Sequence, residues 1–176
     1  SGLTSFPFID TSNSTNFAYT WRDCTGLTEF PALDFSSGTI ISHAWRGCSG
    51  ITTFPSVDFS SATSFDYAWF GCHSMTTYPA NQFDTTGTLS FNAFHNAFHG
   101  SAFNAQSIEN IIVSLDTNGQ QNIKLSVSGG QNANASTWST DAIIAYRNLI
   151  NKSWTISQNG TPSMSDLEYT ISNSGT

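Results

Sequence analysis

Charge is what this sequence has least of. Asp, Glu, Lys and Arg make up 10% of its 176 residues, against roughly 25% in an ordinary soluble protein. Only five residues are basic, and Arg22, Arg46, Lys124, Arg147 and Lys152 are scattered along a chain of net charge −7. Nucleic-acid binding needs a basic footprint, so no nucleic-acid partner is expected. No apolar run approaches the roughly 18 residues of a membrane span, and no membrane insertion is expected either. The sequence lacks a Cys-x-x-Cys pair, a Gly-x-Ser-x-Gly elbow and a phosphate-binding glycine loop. Nucleophilic, nucleotide and zinc chemistry therefore have no motif to rest on, and the chain is expected not to be an enzyme. No signal peptide is visible, and the first residues, SGLTSFP, already belong to a repeat. The chain is thus expected to be a mature product or the C-terminal piece of a longer one.

What is abundant is aromatic and hydroxyl-bearing. Aromatics reach 14%, with 14 Phe, 5 Trp and 5 Tyr, in a background of Ser, Thr, Asn and Gly. Disordered segments are poor in aromatics, so this composition supplies a core. An internal repeat organises it. GLTSFPFIDTSNSTNFAYTWRDCT, GLTEFPALDFSSGTIISHAWRGCS and GITTFPSVDFSSATSFDYAWFGCH align without gaps from Gly2, Gly26 and Gly50, a period of 24. A fourth copy begins at Ser74, takes an insertion, and carries Phe94 in place of Trp. Pro7, Pro31, Pro55 and Pro79 fall in register with Trp21, Trp45 and Trp69 and with Cys24, Cys48 and Cys72.

Within a coil, the LTSF portion reads as a short strand closed by Pro, which cannot continue a ladder. Phe17, Trp21 and Cys24 stand at i, i+4 and i+7, one face of about two helical turns. Between them, Asp10-Thr-Ser, Asp34-Phe-Ser and Asp58-Phe-Ser read as turns whose carboxylates cap local amides. The expected fold class is an α/β repeat solenoid, with 24-residue coils of short strand plus short helix and a small α+β C-terminal capping unit. Its expected domains are a solenoid over residues 1–101 (coils 2–25, 26–49, 50–73 and an irregular 74–101) and a cap over 102–176. In the cap, Ile108, Ile111, Ile112 and Leu115 are spaced as a helix with Asn104 as N-cap. Ile123, Leu125 and Val127 alternate as a strand. Ser139 is placed to cap a second helix carrying Ile143, Tyr146, Leu149 and Ile150. Trp154 with Ile156, and Leu167 with Tyr169 and Ile171, suggest two further strands.

The LTSFP segment, the Asp-Thr-Ser turn and the AW-x-x-C segment resemble the BspA-like leucine-rich-repeat surface proteins. The tail NAQSIENIIVSLDTNGQQNIKL…TWSTDAIIAYRNLINKSWTIS is similar to the ending of many such arrays in bacteria and their phages. The resemblance implies a right-handed leucine-rich-repeat solenoid at a cell surface or a phage tail-fibre tip. It also implies extracellular adhesion or host recognition without catalysis. The expected partner is a cell-surface glycan or protein. The alternative is a structural subunit of an extracellular fibre, a homo-oligomer stacked through an uncapped first coil; a glycan-active enzyme ranks last.

Four sets of side chains are candidates for specific roles. Trp21, Trp45 and Trp69 with Cys24, Cys48 and Cys72 read as a structural ladder, the thiols serving as small buried hydrophobes. Phe35, Phe59 and Phe83, beside Asp34 and Asp58, would form a ligand-stacking platform if that column faces outward. Asp10, Asp34 and Asp58, with Asp84 in the fourth copy, form a column of like charges. Their repulsion calls for turn amides or for bound calcium, whose ligands are oxygens; no other cofactor is expected. His95 and His99 lie four apart in HNAFH, without the Glu of a zincin helix, and read as polar residues at the junction with the cap. Asn13, Asn134, Asn151 and Asn159 begin Asn-x-Ser/Thr sequons, which arise readily in so Ser-, Thr- and Asn-rich a chain.

Overall fold

A computed structural model describes residues 3–5 and 9–162. Phe6 and Pro7 of the first copy and the last expected strand (Leu167, Tyr169, Ile171) lie outside these residues.

The repeats do not form strand-plus-helix coils. Residues 9–104 contain turns and isolated bridges but no helix and no strand. Among the described residues, regular secondary structure is confined to α1 (Ala105–Asn118), β1 (Lys124–Val127), α2 (Thr140–Asn151) and β2 (Thr155–Gln158), with a short 3₁₀ turn at Ala135–Thr137. With two helices and one two-stranded parallel sheet, the expected leucine-rich-repeat solenoid is corrected. So is the part of the expectation that gave each coil its own strand and helix.

The reason lies in the backbone amides. Phe17, Tyr19, Trp21 and Asp23 donate to the carbonyls of Ile40, Ser42, Ala44 and Arg46 in the next copy at 2.7–3.2 Å. The alternate amides of Thr20, Arg22 and Cys24 turn back on Phe17, Tyr19 and Trp21, closing β-turns in series. A helix would send every amide to the fourth carbonyl behind it; here every second one leaves sideways. Such a path needs left-handed residues. They occur at Tyr19 and Asp23, His43 and Gly47, Tyr67 and Gly71, and Asn96 and Gly100, with φ between 52° and 78°. Two consecutive turns still return residues 17 and 21 to one side, so the i, i+4 spacing that suggests a helix has another origin.

Stacked copies bury their aromatics in columns. Trp21, Trp45, Trp69 and Phe98 lie ring over ring at centroid spacings of 5.4, 5.3 and 5.0 Å, within 10° of parallel. Phe98 and not the expected Phe94 thus takes the Trp position in the fourth copy, Phe94 stacking on Phe65 instead. Phe30, Phe54 and Tyr78 make a second column at 5.9 and 5.6 Å. Each aromatic pair adds about 0.5–1.5 kcal/mol beyond the area it buries.

After residue 104 the same stacking continues with a longer spacing. Phe94 bridges to Leu125 and Leu125 pairs with Ile156, both in parallel and both 31 residues apart. The extra length holds a helix in each interval. Asn104 caps α1 by accepting from the Ser107 amide at 2.8 Å, and Gly119 ends it in a left-handed conformation at φ 80°. Ser139 caps α2 by accepting from the Ala142 amide at 3.1 Å. Ser107 and Ser114 of α1 accept from the buried amides of Tyr78 and Phe83. One hydrophobic cluster runs from Phe17 to Trp154.

Candidate functional site

Phe35, Phe59 and Phe83 are interior, at 0, 2 and 0% exposure, and pack edge-on or tilted against Trp45 and Trp69. The ligand-stacking platform expected of them is therefore corrected: all three rings point into the core, following Asp34 and Asp58 in the second and third copies and Gln82 in the fourth. Asp34 and Asp58 are exposed, but their carboxylates are engaged locally. Asp34 Oδ1 accepts from the Ser36 amide at 2.9 Å and hydroxyl at 2.6 Å, and Asp10 Oδ1 from the Ser12 amide and hydroxyl at 3.0 and 2.7 Å. Asp58 Oδ1 accepts from the Ser60 amide at 2.8 Å. These bonds, the serine hydroxyls first, hold the Asp10 and Asp34 carboxyls below their ordinary range. In the fourth copy Asp84 accepts from the Ser114 hydroxyl. Among the described residues no group of three or more His, Cys, Asp or Glu is arranged to hold a metal ion.

The Cys column lies inside. Cys48 Sγ donates to the Trp21 carbonyl at 2.9 Å and Cys72 Sγ to the Trp45 carbonyl at 3.2 Å, while Cys24 is half-buried and all three thiols are free. Burial pushes the Cys48 thiol up to about 12 and the Cys72 thiol well up also.

The chemistry that reaches solvent is on another face. Tyr19, His43 and Tyr67 stack outside the core at 4.5 and 4.9 Å, within 12° of parallel. His95 closes the column edge-on to Tyr67 at 5.5 Å. Tyr19 is 52% exposed. Three residues further along the first three copies runs a second column, Arg22, Arg46 and Phe70, which His99, four residues after His95, extends. The Arg22 guanidinium sits 5.7 Å from the Tyr19 ring centre, and Arg46 sits 5.3 and 5.2 Å from those of Tyr67 and Phe70. His99 stacks on Phe70 at 5.4 Å. The left-handed residues make this face: Tyr19, His43 and Tyr67 themselves adopt positive φ, which turns their side chains away from the neighbouring Trp column.

Its electrostatics are mixed. Arg22 Nε pairs with Asp23 at 3.2 Å and His95 Nδ1 with Asp66 at 3.3 Å. Burial lowers the basicity of His43, with Arg46 and Arg22 acting the same way and Asp66 opposing. Burial raises the Asp66 carboxyl, against the pull of His95 and His43. All four histidines of the chain and two of its three arginines lie on or beside this face. From sequence, His95 and His99 read only as polar residues at the junction with the cap, and the other members of this face carry no expectation. The signal was present: in the gapless alignment, positions 19, 43 and 67 read Tyr, His, Tyr, and positions 22, 46 and 70 read Arg, Arg, Phe.

A separate cleft of about 300 Å³ lies between the helices, where Glu109, Asp116 and Asp141 meet Val113 and Ile144. Its acids are largely occupied, since Asp116 pairs with Lys152 at 2.6 Å and Glu109 accepts from the Ser139 hydroxyl. No helix among the described residues is long and apolar enough to cross a membrane. Compared with protein-family models, curated proteins and solved structures, the chain matches none of them.

Proposed function

We propose that this chain is a non-catalytic extracellular recognition module that binds a cell-surface glycan or protein. Its binding face is the Tyr19–His43–Tyr67 column with the arginines beside it. The observation that carries the reading is this ring ladder outside the core, flanked by Arg22 and Arg46. A chain with so few charges and such large buried aromatics has no packing need for a second aromatic stack in solvent. Aromatic and arginine side chains are also the residues that supply most of the energy in recognition surfaces. Because the rings occupy each other's faces, they present edges, phenol hydroxyls, imidazole nitrogens and guanidinium groups outward. That set hydrogen-bonds a hydroxyl-rich partner.

Tyr19→Asn and Tyr67→Asn test the reading, because Asn tolerates the left-handed backbone while removing the ring. Wild-type protein is expected to bind saturably on a glycan array or to intact cells. The double variant, still folded by circular dichroism, is expected to bind about tenfold more weakly, the loss of roughly 1.4 kcal/mol. Undiminished binding by the variant, or no saturable binding by the wild type, removes the assignment.

A further inference from the structure

Arg46 stands out on this face because its charge has no carboxylate. The ion pairs of the described residues are Arg22 with Asp23, His95 with Asp66 and Lys152 with Asp116. Arg46 instead lies half-buried over Tyr67 and Phe70, with Nη1 3.5 Å from His43 Nδ1. Partial burial of an unpaired guanidinium is unfavourable unless a partner compensates it.

Beside it opens a cleft of about 300 Å³, lined by Asp23, Arg46, Gly47, Ser49, Phe70, Gly71 and His73. The cleft owes its existence to glycine. Gly47 and Gly71 occupy the second left-handed position of their copies at φ 75° and 71°, where the first copy has Asp23. A Cβ on Gly47 would come within 2.3 Å of Asp23 Oδ1. Asp23 itself is already paired with Arg22, so Arg46 is the uncompensated charge of the cleft. His73 Nδ1 lies 2.7 Å from the Gly100 carbonyl, an acceptor, so Nδ1 carries the proton. Nε2 then faces the space over Gly71, where a Cβ would lie 3.8 Å from it. One wall is aromatic, Arg46 supplies the cation, and an imidazole nitrogen, the Ser49 hydroxyl and the Arg22-paired Asp23 carboxylate complete the lining. The volume is at the small end of ligand sites, suited to a single sugar ring.

We propose that this cleft is a subsite for an acidic sugar of a surface glycan. The sugar carboxylate sits on Arg46, its ring lies against Phe70, and its hydroxyls face His73 Nε2 and Ser49. The proposal rests on the recognition reading and narrows it to uronic-acid-type residues. Guanidinium matches carboxylate as a two-bonded fork, which a lysine does not reproduce.

The test compares polygalacturonate and hyaluronan with their methyl esters, which keep the sugar and lose the charge. Wild type, Arg46→Gln, Arg46→Lys and Arg147→Gln are titrated calorimetrically, each checked for an unchanged melting curve. At least one acidic polymer is expected to bind wild type about tenfold or more tighter than its ester. Arg46→Gln abolishes that difference, Arg46→Lys restores part of it, and Arg147→Gln, with the same net charge as Arg46→Gln, retains it. Equal binding of acid and ester, or undiminished acid binding by Arg46→Gln, overturns the subsite but leaves the recognition reading standing. Binding of polyglutamate without either uronate polymer overturns the sugar assignment. No binding of any glycan, acidic or neutral, overturns the subsite, and overturns both readings where saturable binding to intact cells is absent as well.

Discussion

One hydrogen bond recurs at three positions. Cys48 and Cys72 donate through sulfur to the carbonyl of the Trp in the preceding copy, and in the irregular fourth copy Ser101 Oγ does the same to Trp69 at 3.3 Å. The column therefore selects a small donor rather than sulfur chemistry. Cys48→Ser is expected to keep the donor and to cost less than about 1 kcal/mol. Cys48→Ala loses both the donor and packing volume, and costs about 2 kcal/mol. Urea unfolding of the two variants checks the order. The same burial makes the thiols unequal: native protein at pH 8 exposes half-buried Cys24 to an aromatic disulfide reagent and shields Cys48 and Cys72, whereas denatured protein titrates all three. The Cys and Trp columns were legible in the sequence by period alone. The buried face of Phe35, Phe59 and Phe83 was not, because the period repeats every position equally and carries no sign for inward or outward.

At the scale of elements, local rules held wherever the element was local. Asn104 and Ser139 were readable as N-caps because a side chain three residues from a free amide is a sequence relation, and both bonds form. Asn104→Ala is expected to destabilise the protein by about 1 kcal/mol, read as a shift in the thermal midpoint of the helical circular-dichroism signal. In the copies the same kind of reasoning failed. Phe17, Trp21 and Cys24 share a face through turns closed at left-handed Tyr19 and Asp23; nothing in a Tyr announces positive φ, and Asp, though enriched there, adopts it in only a minority of cases. Gly47 and Gly71 did offer a hint, since glycine is the residue that accepts φ above zero without cost. Their alignment with Asp23 hid it.

For the whole molecule, one core joins the copies and the helices, so perturbations of its ionisable groups are felt globally. Burial raises Cys48, Cys72 and Tyr78. In the unfolded chain thiols ionise near pH 9, while folded Cys48 holds its proton to about 12. The unfolded state thus binds fewer protons above pH 9, and stability falls as pH rises from there through the folded value. The urea midpoint is expected to drop steadily between pH 8.5 and 11, and the Cys48→Ser, Cys72→Ser double variant to show a shallower decline. An unchanged slope would assign the loss to Tyr78 or to other groups.

The sequence by itself determined the copy boundaries, the stacked columns as columns, the helices α1 and α2 with their caps, and the scarcity of charge. Those are properties of spacing and composition. Only the tertiary structure decided that the copies are built of turns rather than strands and helices, because alternate amides find their acceptors 23 residues away in the next copy. The same sideways bonding decided which aromatics became core and which became the outer Tyr19–His43–Tyr67 face, since the left-handed backbone at those three residues turns their own side chains away from the Trp column.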